Sequence, residues 1–259
     1  VTDSPLSGRT ALVTGAGRGI GRAIAMGLAE AGADLVLLGR TQEQLDDVTE
    51  AIRAHDGRAT SVAADLSLPA SLPSLLEELD YRFGQIDVLI NNAGSVAPLG
   101  ISGSIGLGAF RENLDLNVIA PVAFDLHFAP AMRKREWGRI VNISSGIAAR
   151  PASMIGGNAY ATSKAALEAH TLNLAAEFAD SGVAINAFRP GSVDTAMQAW
   201  IRSQNPAKLG SDLPTRFRRS YESGTLLTAE QSAAALIPKL FTDQNGQIWT
   251  VDGKVGAAQ

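Results

Sequence analysis

The sequence predicts an α/β fold, a doubly wound parallel sheet of about seven strands with helices on both faces. Three observations carry that expectation. Short apolar runs alternate with longer helix-compatible runs from Thr10 to Val251, a glycine-rich turn joins the first apolar run to the first helical one, and no linker or internal repeat interrupts the alternation. The chain has 259 residues, of which 46% are apolar and 19% charged, and its 26 glycines are spread along its length. One domain spanning 1–259 is therefore expected, with enough chain to bury a full core.

The elements follow in order. Ala11-Leu12-Val13 is a short apolar strand, and Thr14-Gly15-Ala16-Gly17-Arg18-Gly19-Ile20-Gly21 leads from it into a helix reaching about Ala31. Glycines belong in such a turn because the backbone must fold tightly and come close to a pyrophosphate, while the helix N-terminus holds the negative charge. The strict G-x-G-x-x-G and G-x-x-x-x-G-K patterns both fail here, and T-G-x-x-x-G-x-G fits. Asp34 to Leu38 is a second strand followed by Gly39-Arg40, with a polar helix from Gln42 to about His55. A third strand over about Arg58 to Ala63 ends in Ala64-Asp65-Leu66, and a helix from Leu72 to Phe83 precedes a fourth strand, Ile86 to Ile90, which runs into Asn91-Asn92-Ala93-Gly94.

Residues Ser95 to Gly108 carry four glycines and read as a loop at the carboxyl edge of the sheet, where open α/β sheets bind ligands. A long helix through Asn117 to about Arg135 follows, with a kink expected at Pro121. Arg139 to Ile143 is a fifth strand ending at Ser144-Ser145-Gly146, a helix opens at about Tyr160, and Val183 to Phe188 is a sixth strand ending in Arg189-Pro190-Gly191. Residues 194–224 read as a lid because a segment this long between a strand and the next helix is unusual. Its arginines, Arg216, Arg218 and Arg219, are expected on a solvated face. A helix from Ala229 to Phe241 and a strand from Gln247 to Val251 complete the sheet.

Composition excludes several function classes. A net charge of −4 argues against nucleic acid or an anionic membrane surface as the main partner. The absence of cysteine removes thiolate catalysis and cysteine-ligated zinc, and His55, His127 and His170 have no metal-ligand spacing, so no metal is expected. Neither a signal peptide nor a run of 18 apolar residues is present, and the default location is the cytoplasm. Val1 in place of an initiating methionine raises the expectation of a trimmed N-terminus.

Tyr160 and Lys164 bear the most chemistry per residue. Four apart on a helix, they share one face about 6 Å apart along the axis. An ammonium beside a phenol is expected to move the phenol down from about 10 towards neutrality, where it serves best as a proton donor and acceptor.

The ordered set Thr14 to Gly21, Asp65, Asn91 to Gly94, Asn117, Ser145, Tyr160 with Lys164, and Pro190-Gly191 resembles the single-domain short-chain dehydrogenase/reductase family over nearly the whole chain. That resemblance implies a Rossmann-like sheet and an NAD(P)-dependent oxidoreductase moving a hydride between nicotinamide and a carbonyl or secondary alcohol. It implies catalytic roles for Asn117 (a water-linked proton relay), Ser145 (steadying the substrate oxygen), Tyr160 (general acid and base) and Lys164 (lowering the tyrosine and holding the nicotinamide ribose). Cofactor contacts are implied at Gly15, Arg18, Gly19, Ile20, Gly21, Arg40, Asp65, Leu66, Asn91, Ala93, Gly94, Tyr160, Lys164, Pro190, Gly191, Val193 and Thr195. Asp65 would meet the adenine; Asn91 to Gly94 would line the adenosine side and stabilise the central strand.

Fifteen residues separate Ser145 from Tyr160, about two more than usual in the family, so Ser144 stays open as the other candidate hydroxyl. Lys254 stands where the family commonly has a second glycine, and the glycine-rich loop after Gly94 is expected to alter the substrate mouth. The family also implies a small-molecule carbonyl or alcohol partner and a homodimer or homotetramer, which the alanines between Ala161 and Ala179 would allow by close helix contact. NADP(H) is expected over NAD(H): Gly39 stands where an NAD-selective site needs a carboxylate, and Arg40 and Arg18 suit a 2′-phosphate, although Arg40 could instead pair with Glu43. Two other readings stand beside this one: a nicotinamide-binding regulatory or scaffold protein without turnover, and a family member performing elimination or epimerisation.

Overall fold

The computed structural model describes residues 4–253, so Lys254 lies outside the described residues. Seven parallel strands form one sheet in the order β3-β2-β1-β4-β5-β6-β7: β1 (Thr10–Thr14), β2 (Asp34–Gly39), β3 (Ala59–Ala63), β4 (Val88–Asn91), β5 (Gly138–Ile143), β6 (Val183–Arg189) and β7 (Ile248–Thr250). The order reverses direction between β1 and β4, and a crevice opens there at the carboxyl edge. Strands β4 and β5 are buried at every residue, including the polar Asn91, Arg139 and Asn142, as expected for central strands of a parallel sheet covered on both faces.

Alternation nevertheless decides which core each side chain joins. From β1, Ala11 and Val13 enter a core with α1 (Gly19–Glu30), α2 (Gln42–Arg53) and α10 (Ala229–Leu236). Leu12 between them points the other way, into a core with α3 (Leu72–Phe83), α5 (Ala120–Lys134) and α6 (Asn158–Glu177). Helix α10 starts where it does because Thr228 and Gln231 form a reciprocal capping box. It then tightens into a 3₁₀ turn, Ile237–Phe241, so the single helix expected to Phe241 is in two parts.

One other expectation is corrected. The long helix through Asn117 is not a single α-helix. Instead α4 (Leu107–Leu114) passes through a π turn, Asp115–Ile119, into α5, with Pro121 in the first turn of α5 where its missing N–H costs least. Four residues back from Pro121, the main-chain carbonyl of Asn117 thereby lacks its usual helical donor. Residues 194–224 fold as α7 (Ala196–Ser203), α8 (Pro206–Leu209) and α9 (Leu213–Glu222). Thr195 and Asn205 cap α7 and α8 with their side chains, and α7 and α9 pack on one another.

Candidate active site

The glycine turn is assembled from β1, α1 and the end of β4. Gly15 has φ +64°, and a side chain on Gly21 would meet the Gly15 carbonyl oxygen at 2.2 Å, so both positions exclude other residues. Thr14 Oγ1 accepts the backbone N–H groups of Asn92 and Ala93, and the Asn92 amide donates to the carbonyls of Thr14 and Gly15. These bonds tie the turn to the neighbouring strand end. Thr195 reaches the turn from the far side, with its methyl 3.6 Å from the place a Cβ on Gly19 would take. The crevice between β1 and β4 is thus floored by backbone and open at the N-terminus of α1, the shape and polarity that a dinucleotide pyrophosphate requires.

Cofactor positions divide by what their side chains do. Arg18 and Arg40 are exposed and make no ion pair among the described residues. Burial acts to raise the Asp65 carboxyl, but hydrogen bonds from the Ser67 N–H and hydroxyl, with the nearby Arg40 charge, hold it below its ordinary value. The carboxylate beside Arg40 is therefore Asp65 rather than Glu43. Asn91 faces the interior: its amide donates to Asp125 and Asn142, so its side chain serves the central strands and not the crevice. Leu66 and Val193 are buried, and Ile20 packs on the core beneath the turn, which leaves their backbones to face a ligand. The Pro190 carbonyl accepts the Ser232 hydroxyl, and Gly191, at φ +79°, turns the chain outward after β6.

The residues expected to be catalytic come together at the end of β5 and the start of α6. The Ser145 hydroxyl is near enough to the Tyr160 phenol to favour its ionised form. The Ser144 hydroxyl instead donates to Glu168 at 2.6 Å in the interior, and this separates the two candidates in favour of Ser145. Lys164 Nζ donates to the Ile143 carbonyl at 2.7 Å and lies 5.9 Å from the centre of the Tyr160 ring. A Cβ on Gly94 would come within 3.6 Å of that ammonium and 3.1 Å of Asn117 Oδ1, which keeps this corner open. The Asn117 side chain is fully buried and saturated: it accepts the Ser95 N–H and donates to the Ser95 carbonyl, Asn113 and Ser163. A relay at Asn117 is left only its main-chain carbonyl.

Electrostatics corrects one expectation. Tyr160 is pushed up from its ordinary value, because burial outweighs the opposing effect of the Ser145 hydroxyl, and Lys164 does not bring it towards neutrality. Burial lowers Lys164 to about 8, with the Glu168 carboxylate acting the other way. Glu168 is four residues beyond Lys164 on α6 and takes a bidentate contact from Arg189, at 2.8 Å for both oxygens. Glu168 and Arg189 were not singled out from sequence. Only the spacing Tyr160-Lys164-Glu168, one helix face at successive turns, could have marked the glutamate.

A parallel sheet with its glycine turn at the switch point, and a hydroxyl pair set beside a lysine across the crevice, defines a dinucleotide-dependent oxidoreductase. The chain belongs to the short-chain dehydrogenase/reductase family: the family model for short chain dehydrogenase matches residues 9–206. It is therefore an NAD(P)-dependent oxidoreductase. The oxidoreductase UcpA of Escherichia coli K12 is 37% identical over 202 residues, covering 78% of this chain and 76% of that one. A 3-oxoacyl (acyl-carrier-protein) reductase from Agrobacterium tumefaciens with NADP bound superposes with a TM-score of 0.81 at 30% identity, covering 96% and 95% of the two chains. L-sorbose reductase from Gluconobacter frateurii, complexed with NADPH and L-sorbose, has a TM-score of 0.85 at 26% identity over 100% of both.

Proposed function

We propose that this chain reduces a ketone, or oxidises the matching secondary alcohol, with Tyr160 carrying the proton. The observation that supports this most is the Tyr160 phenol beside the Ser145 hydroxyl, with the Lys164 ammonium 5.9 Å from the centre of the Tyr160 ring. The bound nicotinamide supplies or accepts the hydride. Ser145 holds the substrate oxygen by donating to it, so the charge that develops there meets a donor already aimed. Tyr160, kept protonated by burial, gives its proton to that oxygen in the reducing direction. The Lys164 ammonium is placed to bind ribose hydroxyls, and the Asn117 carbonyl, freed by Pro121, is placed to accept from a water that resupplies the proton. A non-catalytic scaffold has no need of this set.

NADP(H) is the preferred cofactor in this reading. The end of β2 carries Gly39, without a carboxylate to repel a 2′-phosphate, and Arg40 and Arg18 are exposed and make no ion pair among the described residues. A charge-assisted contact of about 1.5–3 kcal/mol corresponds to roughly ten- to a hundredfold discrimination. In Arg40→Ala the kcat/KM advantage of NADPH over NADH is expected to fall by that factor. A wild type already favouring NADH would overturn the preference.

Helices α7 to α9 form the lid in the same reading, within one domain. A homodimer or homotetramer is proposed through the outer face of α6, where Ala161, Thr162, Ala165 and Ala166 line a groove of about 680 Å³ with Ile101 and Ile155. Light scattering reports the assembly, and a monomer would exclude it. No helix among the described residues is long and apolar enough to cross a membrane.

A further inference from the structure

We infer that the substrate is an apolar ketone, or its secondary alcohol, and that the site discriminates against sugars and polyols. This rests on the oxidoreductase reading above and goes beyond it to the substrate class.

The walls around Tyr160 carry the argument. Its ring packs on one apolar cluster to which the body contributes Val96, Ile147 and Met154, and the lid contributes Ile201, Leu213 and Phe217. Val96 follows β4 and Ile147 and Met154 follow β5, so both carboxyl-edge loops present hydrocarbon to the reacting hydroxyl. Ile201 on α7 and Leu213 on α9 are 2% and 1% exposed, which means the lid is seated on the body by these contacts. A substrate that enters must replace lid–body contacts with its own. An apolar molecule does so without loss, whereas a hydroxyl placed there leaves water and finds no partner.

Polar groups near this seat are already committed. Asn113 donates to the carbonyls of Ser95 and Ala97, and the Ser95 hydroxyl accepts the Ala97 N–H. On the lid, Arg202 pairs with Asp194, Arg216 donates to the Ser153 carbonyl and Arg218 to the Arg202 carbonyl, all at exposed positions. Arg216 and Arg218 are held at exposed positions by these bonds. Two exceptions on α7 are Gln198 Oε1 and Arg202 Nη1, buried without a partner among the described residues. One acceptor and one donor can serve one or two hydroxyls, too few for a polyol with one on nearly every carbon. A pocket that offers no partner to one added hydroxyl discriminates by about 10² at most, and several hydroxyls extend the penalty.

The test is kcat/KM for reduction of acetophenone and tetralone against L-sorbose and D-fructose, each with NADPH and with NADH. The ketones are expected to lead by at least about 100-fold. A sugar reduced as well as either ketone overturns the inference and leaves the oxidoreductase reading intact; no reduction of any of the four with either nicotinamide overturns that reading and the inference with it. A second measurement separates specificity from folding. Phe217→Ser is expected to raise KM for tetralone about tenfold or more, with a smaller change in kcat and no loss of kcat/KM for the sugars, and Phe217→Leu is expected to restore KM. Equal losses for both classes in Phe217→Ser would mean that Phe217 only holds the lid together, and would overturn its role in specificity.

Discussion

Tyr160→Phe is expected to lower kcat for ketone reduction by about 10²–10⁴-fold while the nicotinamide binds nearly as in the wild type. The ring, its packing and the Lys164 ammonium all survive the substitution, and only the hydroxyl beside Ser145 is lost. A variant retaining more than about a tenth of wild-type kcat contradicts the assignment. The wild-type pH profile adds a check on the same site. Burial raises Tyr160, so the phenol keeps its proton through neutral pH, and Lys164 is charged below about 8 and neutral above it. For reduction, kcat/KM is expected to be level on the acid side and to fall by about tenfold per pH unit above that value. The sign for stability is opposite. Lys164 is depressed from 10.5, so its buried charge costs stability below about 8, and that cost is relieved as pH rises towards 10.5.

Glu168→Ala is expected to destabilise the fold by about 3–5 kcal/mol, because removing one partner of a buried ion pair leaves the other uncompensated. The side chains of Glu168 and Arg189 are 9% and 14% exposed, and the alanine variant strands both the guanidinium and the Ser144 hydroxyl. In thermal unfolding the midpoint is expected to drop by on the order of 10 °C. The apolar pair Glu168→Met with Arg189→Met should recover most of that loss, since two well-packed side chains avoid the desolvation cost of both charges. A midpoint within about 1–2 °C of the wild type in Glu168→Ala would show that water reaches the pair and screens it.

Much of the fold was legible because local patterns set it. The apolar runs at β1 and β5 and the glycine turn between Thr14 and Gly21 depend on backbone requirements that neighbouring residues satisfy, and Leu72 to Phe83 matched helix α3 from end to end. Residues 194–224 were harder. Their helices are short, and α7 and α8 are capped by single residues, Thr195 and Asn205, so no long periodic face announces them. The π turn at Asn117 has no sequence mark apart from Pro121 four residues on. In the site, the Tyr160–Lys164 spacing was readable, but the balance that sets the phenol was not. Spacing reports the charge nearby, whereas burial from loops far along the chain decides the outcome. The Glu168–Arg189 pair was invisible for the same reason, since its partners lie 21 residues apart on different elements.

The central claim, that this site performs hydride transfer to a carbonyl, is tested most directly by following the hydrogen itself. NADPH deuterated at the transferable position is incubated with the protein and tetralone, and the alcohol product is analysed by mass spectrometry and NMR. Deuterium bound to the carbinol carbon, with Tyr160→Phe yielding almost none of that product, is the predicted result. Cofactor that binds and protects the protein from thermal unfolding, yet passes no deuterium to tetralone or to L-sorbose from either nicotinamide, would contradict it and leave a binding protein built on the same fold.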